Sequence, residues 1–138
     1  MRVAIIDGQG GGIGKHLTTV FRRHFGDTLE IVALGTNSMA TQAMLKAGAN
    51  EGATGENAII RNAARVDAIL GTVAILAADS MLGELTPAMA EAIGKSDAKK
   101  FLLPLNNVGI TIACVKNEPL PHQIEELVEL FKEAWNNV

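Results

Sequence analysis

The 138-residue chain contains a single cysteine, Cys114. One thiol excludes a disulfide within the chain, and this is typical of proteins from a reducing compartment. Cys114 lies inside the apolar run 110–115. We therefore expect a buried, unreactive side chain there rather than a nucleophile.

Basic charge and long apolar segments are also scarce. Twelve lysines and arginines stand against fifteen aspartates and glutamates, which gives a formal net charge of −3 and no basic surface for nucleic acid. No apolar run is long enough to span a membrane, and the first is too short for a signal peptide and is interrupted by Asp7. We expect a cytoplasmic protein with neither a nucleic-acid nor a membrane partner.

Histidine is too scattered to suggest a metal centre. The three histidines, His16, His24 and His122, form no cluster with the spacing of metal ligands. The sequence therefore predicts no metal site.

Apolar residues, in contrast, make up 48% of the chain, and the mean hydropathy is +0.21. The length favours one domain, residues 1–138, with a sizeable core. So apolar a chain is also compatible with a homo-oligomer, in which part of the apolar surface is buried between subunits.

Short apolar runs alternate with segments of helical periodicity along the chain. The predicted strands cover residues 2–6, 29–34, 51–53, 66–70 and 100–105. The predicted helices cover residues 12–25, 39–47, 54–64, 87–93 and 121–136. This alternation predicts a three-layer, Rossmann-like α/β fold with a mostly parallel sheet.

Two segments are less regular. Residues 71–78 fit a buried strand and a buried helix equally well. The turn 106–109 is too short to hold a crossover helix. We therefore expect residues 110–115 to form an antiparallel C-terminal edge strand beside residues 100–105.

The densest motif is a glycine-rich turn between the first strand and the first helix, Asp-Gly-Gln-Gly-Gly-Gly-Ile-Gly-Lys at residues 7–15. Glycine lets the backbone approach an anion, and the first free N–H groups of a helix point toward it. Each glycine costs about 0.5–1 kcal/mol relative to alanine, so a packing turn rarely needs so many. We expect a phosphate or nucleotide here, bound by Gly8, Gln9, Gly10, Gly11, Gly12, Ile13, Gly14 and Lys15.

The spacing of these glycines does not identify the ligand. The dinucleotide fingerprint G-x-G-x-x-G fails because position 13 is Ile. The order Gly8-x-x-x-Gly12-Ile13-Gly14 resembles the cofactor turn of short-chain dehydrogenases. That family's catalytic tyrosine has no counterpart in a chain without tyrosine, and no acidic residue ends the second strand to hold a ribose.

A degenerate P-loop is the third possibility for the same turn. Residues 11–15 resemble the variant found in the ParA and MinD ATPases. Gln9 replaces the first glycine, and His16 replaces the Ser or Thr that holds magnesium. Asp79 could imitate the metal-side aspartate. The cofactor therefore stays unknown, with NAD(P) or another nucleotide possible.

Polar clusters follow the other predicted strands. In a parallel sheet such loops share one edge, where the ligand crevice of these folds lies. Capping alone explains Thr36, Asn37 and Ser38, whereas converging carboxylates and amides can position a substrate or transfer protons. The candidate contacts are Thr36, Asn37, Ser38, Glu56, Asn57, Asp79 and Ser80.

Several longer motifs resemble the same protein family. Taken together, the glycine turn and the segments 33–40 (ALGTNSMA), 49–59 (ANEGATGENAI) and 81–93 (MLGELTPAMAEAI) are similar to a small bacterial family of unknown function. Its members are about this length and come mostly from anaerobes. The resemblance implies a Rossmann-like α/β fold, and it supplies no activity, substrate or catalytic residue.

Three functions remain open. The favoured one is a module that binds a phosphate-bearing small molecule or nucleotide at the glycine turn. The second is a small enzyme that acts on that ligand through Asp79 or Glu84. The third is a homo-oligomeric assembly subunit without catalysis, built through residues 87–93 or 110–115.

Overall fold

The structure, a computed structural model, describes residues 1–136. Its strands are β1 (Arg2–Asp7), β2 (Glu30–Gly35), β3 (Glu51–Thr54), β4 (Ala68–Thr72) and β5 (Lys99–Leu103). Its α-helices are α1 (Gly12–Phe25), α2 (Ser38–Lys46), α3 (Glu56–Ala63), α4 (Pro87–Lys95) and α5 (Leu120–Asn136). Short 3₁₀ helices cover Gly26–Thr28 and Val73–Leu76.

The five strands form one parallel sheet in the order β3-β2-β1-β4-β5. β1 lies at its centre, with Asp7 opposite Gly35 of β2 and Ile5 opposite Leu70 of β4. Continuous burial from Val3 to Asp7 explains why this strand carries an unbroken apolar run. The three-layer, Rossmann-like α/β prediction is confirmed.

Helices cover both faces of the sheet. One core cluster joins β1 to α1, α2 and α5 through side chains such as Phe21, Met44 and Val128. The other joins the opposite face of the strands to α3 and α4 through side chains such as Ile59 and Ile93. Because helices cover both faces, the loops at the carboxyl ends of the strands are the expected place for a ligand.

The few aromatic side chains gather in one place. All four phenylalanines and the single tryptophan of the sequence pack together between α1, β5 and α5, with neighbouring ring centroids 4.8–5.7 Å apart. They are Phe21, Phe25, Phe101, Phe131 and Trp135. This cluster attaches the C-terminal helix to the edge strand β5.

The predicted antiparallel edge strand at residues 110–115 is wrong. All pairings of the sheet are parallel, and residues 104–119 follow an irregular, mostly exposed path that ends at α5. The segment Asn106-Asn107-Val108-Gly109 turns around the side chain of Asn106, which accepts from the N–H groups of Val108 and Ile110. These contacts direct the chain away from β5.

Two smaller expectations are also corrected or resolved. Cys114 is exposed rather than buried and has a left-handed backbone with φ of 67°. The ambiguous residues 71–78 are neither one strand nor one helix, because β4 continues through Thr72 and a single 3₁₀ turn follows. Within residues 1–136, no helix is both long and apolar enough to cross a membrane.

Candidate functional site

The carboxyl ends of β1 and β4 mark the point where the strand order reverses. From β1 the chain proceeds outward to β2 and β3, and β4 then returns to the other side of β1. Loops leaving two such strands diverge and open a crevice, where ligands of doubly wound sheets bind. Here a crevice of about 620 Å³ lies between the glycine turn, residues 79–82 and residues 105–108, and Asp7 and Thr72 contribute to its wall.

Three glycines of the turn are required by the fold itself. A Cβ on Gly8 would meet the Thr36 hydroxyl and lie 2.7 Å from Met81 Sδ. On Gly14 it would lie 2.7 Å from Met44 Sδ and 2.8 Å from Asp7 Cβ. Gly11 has φ of 75°, which glycine favours, and it directly precedes α1.

Gly10 and Gly12 differ from these three. A Cβ on either would have no neighbour within 4 Å, and neither has a left-handed φ. Both are exposed at the start of α1. Packing and backbone conformation therefore explain Gly8, Gly11 and Gly14 but leave Gly10 and Gly12 unexplained.

The N–H groups of the turn also form two classes, those that have an acceptor and those that have none. Gly14 N–H donates to Asp7 Oδ2 at 2.7 Å, Gln9 N–H to Glu84 Oε1 at 2.8 Å, and Gly11 N–H to the Gly8 carbonyl. Among residues 1–136, no acceptor bonds the N–H groups of Gly10, Gly12 and Ile13. These three donors lie where α1 begins, at the positive end of its dipole.

Glu84 connects three loops at this edge of the sheet. Its Oε1 accepts from Gln9 N–H at 2.8 Å, from Thr36 Oγ1 at 2.7 Å and from Asn37 Nδ2 at 2.8 Å. Asn37 Nδ2 also donates to the Gln9 carbonyl, and Asn37 Oδ1 caps α2 by accepting from Ala40 N–H. The predicted contacts Gln9, Thr36 and Asn37 are thus close together, and all three donate to a carboxylate of the chain.

The two carboxylates beside the turn have opposite electrostatic surroundings. Burial raises the pKa of Asp7 above its ordinary value, although hydrogen bonds from the N–H groups of Gly14 and Gly8 oppose the shift. Hydrogen bonds from the Thr36 hydroxyl and the Gln9 N–H lower the pKa of Glu84. The surroundings therefore favour the ionised form of Glu84 and disfavour the ionised form of Asp7.

Asp79 and Ser80 line the crevice from the opposite side. Ser80 is almost fully buried and donates to the Ala74 carbonyl at 2.6 Å, so its hydroxyl shapes the loop. Asp79 is exposed, with φ of 65°, and its backbone N–H donates to the Leu85 carbonyl. Of the two, only Asp79 has a side chain open to a ligand.

Most of the predicted residues, Gly10 and Gly12 among them, are not part of the crevice lining, which includes five of them: Gly8, Gln9, Ile13, Asp79 and Ser80. Lys15 and Ser38 line a separate groove of about 420 Å³ between α1 and α2, together with Lys46. Glu56 and Asn57 are exposed at the start of α3, where Glu56 Oε2 accepts from the Thr86 hydroxyl at 2.6 Å. The loops after β1, β2 and β4 thus meet at Glu84, whereas the loop after β3 lies outside the crevice.

Several residues of the crevice wall are not among the contacts that the sequence predicts. Asp7 belongs to the motif 7–15 but is not a predicted contact, although a carboxylate directly before a glycine turn is itself a recognisable feature. Leu105 and Val108 line the crevice because residues 104–119 leave the sheet instead of pairing with β5. No local pattern in the sequence predicts that these residues leave the sheet.

No group of histidine, cysteine, aspartate and glutamate side chains within residues 1–136 has the arrangement of a metal centre. A family model described as a domain of unknown function (DUF3842) matches residues 2–136, and the chain belongs to this family. Neither the curated proteins nor the solved structures contain a match.

Proposed function

We propose that this member of the DUF3842 family binds a small phosphate-bearing molecule in the crevice beside the glycine turn. The phosphate is bound at the rim of the crevice by the N–H groups of Gly10, Gly12 and Ile13, which have no acceptor within residues 1–136. Of these three residues, Ile13 lines the crevice. The helix dipole of α1 adds to the attraction. The rest of the ligand extends toward residues 105–108 and Asp79.

The observation that carries this proposal is the open space at Gly10 and Gly12. A turn that served only to pack β1 against α1 would need glycine at positions 8, 11 and 14 alone, where a side chain would clash or the backbone is left-handed. Two further glycines lower stability without helping to pack the fold. They are accounted for if a ligand approaches the backbone at these positions.

Two features limit which anion fits. Asp7 and Glu84 already accept two N–H groups of the turn, so a phosphate has access only to the outer side. Lys15 belongs to the neighbouring groove, so the crevice offers backbone donors rather than a lysine. A monoester with modest negative charge suits this site better than a triphosphate.

The test compares two glycines that are equally free of neighbours. Gly12→Val adds a side chain at the proposed phosphate position, and Gly94→Val adds the same side chain to exposed, unobstructed space in α4. Thermal unfolding would be followed with inorganic phosphate, ribose 5-phosphate, AMP, NAD, NADP, ATP and coenzyme A. A ligand at a hundred times its dissociation constant stabilises by about 2.7 kcal/mol, or several degrees.

We expect at least one phosphate compound to raise the unfolding temperature of the wild type and of Gly94→Val but not of Gly12→Val. Equal shifts in both variants would place the binding site elsewhere. No shift with any of the compounds would show that the glycine turn is purely structural.

A second candidate, a small enzyme, has one observation in its favour. Asp7 and Glu84 are neighbouring carboxyl groups whose surroundings shift their pKa values in opposite directions, a pattern common to acid–base sites. Asp7 contributes to the crevice wall, and its burial favours the protonated form, whereas Glu84 Oε1 already accepts from three donors. If a ligand is turned over, Asp7→Asn should abolish turnover and retain binding; unchanged turnover would exclude this role.

A further inference from the structure

The loop after β4 crosses the end of β1 and reaches the loop after β2. We call residues 79–85 the strap. Along the strap, Met81 Sδ and Glu84 Oε1 both lie beside Gly8, at 2.7 and 3.1 Å from the position a Cβ would take there. Glu84 then accepts from Thr36 and Asn37, which follow β2. The strap therefore covers the side of the glycine turn that faces β2.

Both ends of the strap are fixed. At its start the Ser80 hydroxyl donates to the Ala74 carbonyl, and the Asp79 N–H donates to the Leu85 carbonyl across the loop. At its end Leu85 is fully buried in the core on the α3 and α4 side. Directly before it, the three donors to Glu84 hold the same end.

A dinucleotide in a doubly wound sheet needs both sides of the turn. Its pyrophosphate lies over the turn, one half enters the crevice at the strand-order reversal, and the ribose of the other half lies against the end of β2. In this chain the strap and the Glu84 carboxylate occupy the β2 side, and the donors of Thr36 and Asn37 are already bonded. The crevice toward β4 stays open.

We infer that Glu84 and the strap restrict the site to compact ligands with a single phosphate, such as a sugar phosphate or mononucleotide, and exclude dinucleotides. This inference rests on the proposed function and adds the size class of the ligand. Glu84 is thereby a specificity-determining residue that acts by closing one side of the site.

The test compares two carboxylate deletions. Glu84→Ala removes the acceptor that holds the strap, and Glu91→Ala removes an exposed carboxylate of α4 whose partner is Lys95. Dissociation constants of inorganic phosphate, ribose 5-phosphate, AMP and NAD would be measured by calorimetry. The closed strap should first be verified by hydrogen exchange, because the Gln9 amide that donates to Glu84 should lose protection in Glu84→Ala.

We expect the wild type and Glu91→Ala to bind the best single-phosphate compound at least tenfold more tightly than NAD. In Glu84→Ala this ratio should fall at least tenfold, while the affinity for inorganic phosphate is kept, which shows that the variant is folded. Thr36→Val, which removes one of the three donors, should give an intermediate ratio.

Equal or tighter binding of NAD by the wild type would overturn the inference and leave phosphate binding intact. An unchanged ratio or an unchanged Gln9 exchange rate in Glu84→Ala would also overturn it. If no phosphate compound binds at all, the proposed function fails and the inference with it.

Discussion

The two sides of the glycine turn differ in how many of their polar groups the chain itself uses. Toward β2, Gln9, Thr36 and Asn37 donate to one carboxylate oxygen of Glu84. Toward the start of α1, the N–H groups of Gly10, Gly12 and Ile13 have no acceptor among residues 1–136. A polar cluster at a strand end can thus close a loop or receive a ligand, and the hydrogen-bond partners distinguish the two.

Adding a methyl group at Gly8 and, in a second variant, at Gly10 should give the largest difference in stability between the two sides of the turn. Gly8→Ala forces a Cβ against Thr36 and Met81 on the closed side, and overpacking of this kind costs about 1–3 kcal/mol. Gly10→Ala meets open space without a left-handed backbone and should raise the free energy of unfolding by about 0.5–1 kcal/mol. Urea denaturation of both variants measures the difference; equal losses would mean that the closed side is not packed as described.

Neutralising Glu84 should weaken the closed side and change its response to acid. Glu84→Gln replaces a charged acceptor of three hydrogen bonds and should lower the free energy of unfolding by about 1 kcal/mol at neutral pH. The expected loss is small because Glu84 is partly exposed and solvent screens its charge. The pKa of Glu84 is lowered from 4.5 in the folded chain, so its contribution is present above that pH and is lost as the pH falls through the folded pKa.

Urea denaturation as a function of pH tests this acid dependence. The loss of stability below about pH 4.5 should be smaller in Glu84→Gln than in the wild type. An identical acid slope in both proteins would mean that Glu84 does not hold the strap in solution.

Asp7→Asn should change the stability at neutral pH in the opposite direction to Glu84→Gln. Burial raises the pKa of Asp7 above 3.8, so its contribution to stability is greatest below that pH and is lost as the pH rises through the folded pKa. Asparagine keeps an oxygen for the Gly14 N–H and removes the buried charge. The variant should gain stability relative to the wild type toward neutral pH, and a loss there would show that the carboxylate is stabilised as an anion.

The smallest effect is expected at the far wall of the open side. Asn106→Ala removes the acceptor of the Val108 and Ile110 N–H groups in an exposed segment and should cost only about 0.5 kcal/mol. It should nevertheless weaken binding of any phosphate compound that stabilises the wild type in the thermal-unfolding test, because residues 105–108 form one wall of the crevice. Comparing calorimetric affinity with urea stability tests whether this wall contacts the ligand; unchanged affinity would argue against it.

Much of the fold follows from local patterns. The buried run of β1, the helical periodicity of α1 and the Thr86-Pro87 start of α4 each predict their element, and alternation of strands and helices predicts the parallel sheet. The failure lies at residues 110–115, whose strand-like composition is overridden when Asn106 turns the chain away from β5. The composition of a segment shows that it can form a strand. Whether it pairs with a neighbouring strand depends on the direction that the preceding turn gives the chain.

The sequence predicts the location of the candidate site but not the hydrogen bonds within it. That the loops after β1, β2 and β4 meet follows from the parallel sheet, and Thr36 and Asn37 do lie beside the glycine turn. Which donors are already used does not follow, because the partner, Glu84, is 47 positions away from Asn37 along the chain. Nor does the sequence distinguish Gly12 from Gly14, since their difference is the space around each Cα.

The aromatic cluster gives the protein a built-in optical probe. Trp135 is the sole tryptophan of the sequence and stacks on Phe131 near the end of α5, with Lys99 Nζ 5.3 Å from its ring centre. It is not among the residues that line the crevice. Its emission should therefore report detachment of α5 from the edge strand without a label, and a ligand that fills the crevice should leave the spectrum of the folded protein nearly unchanged.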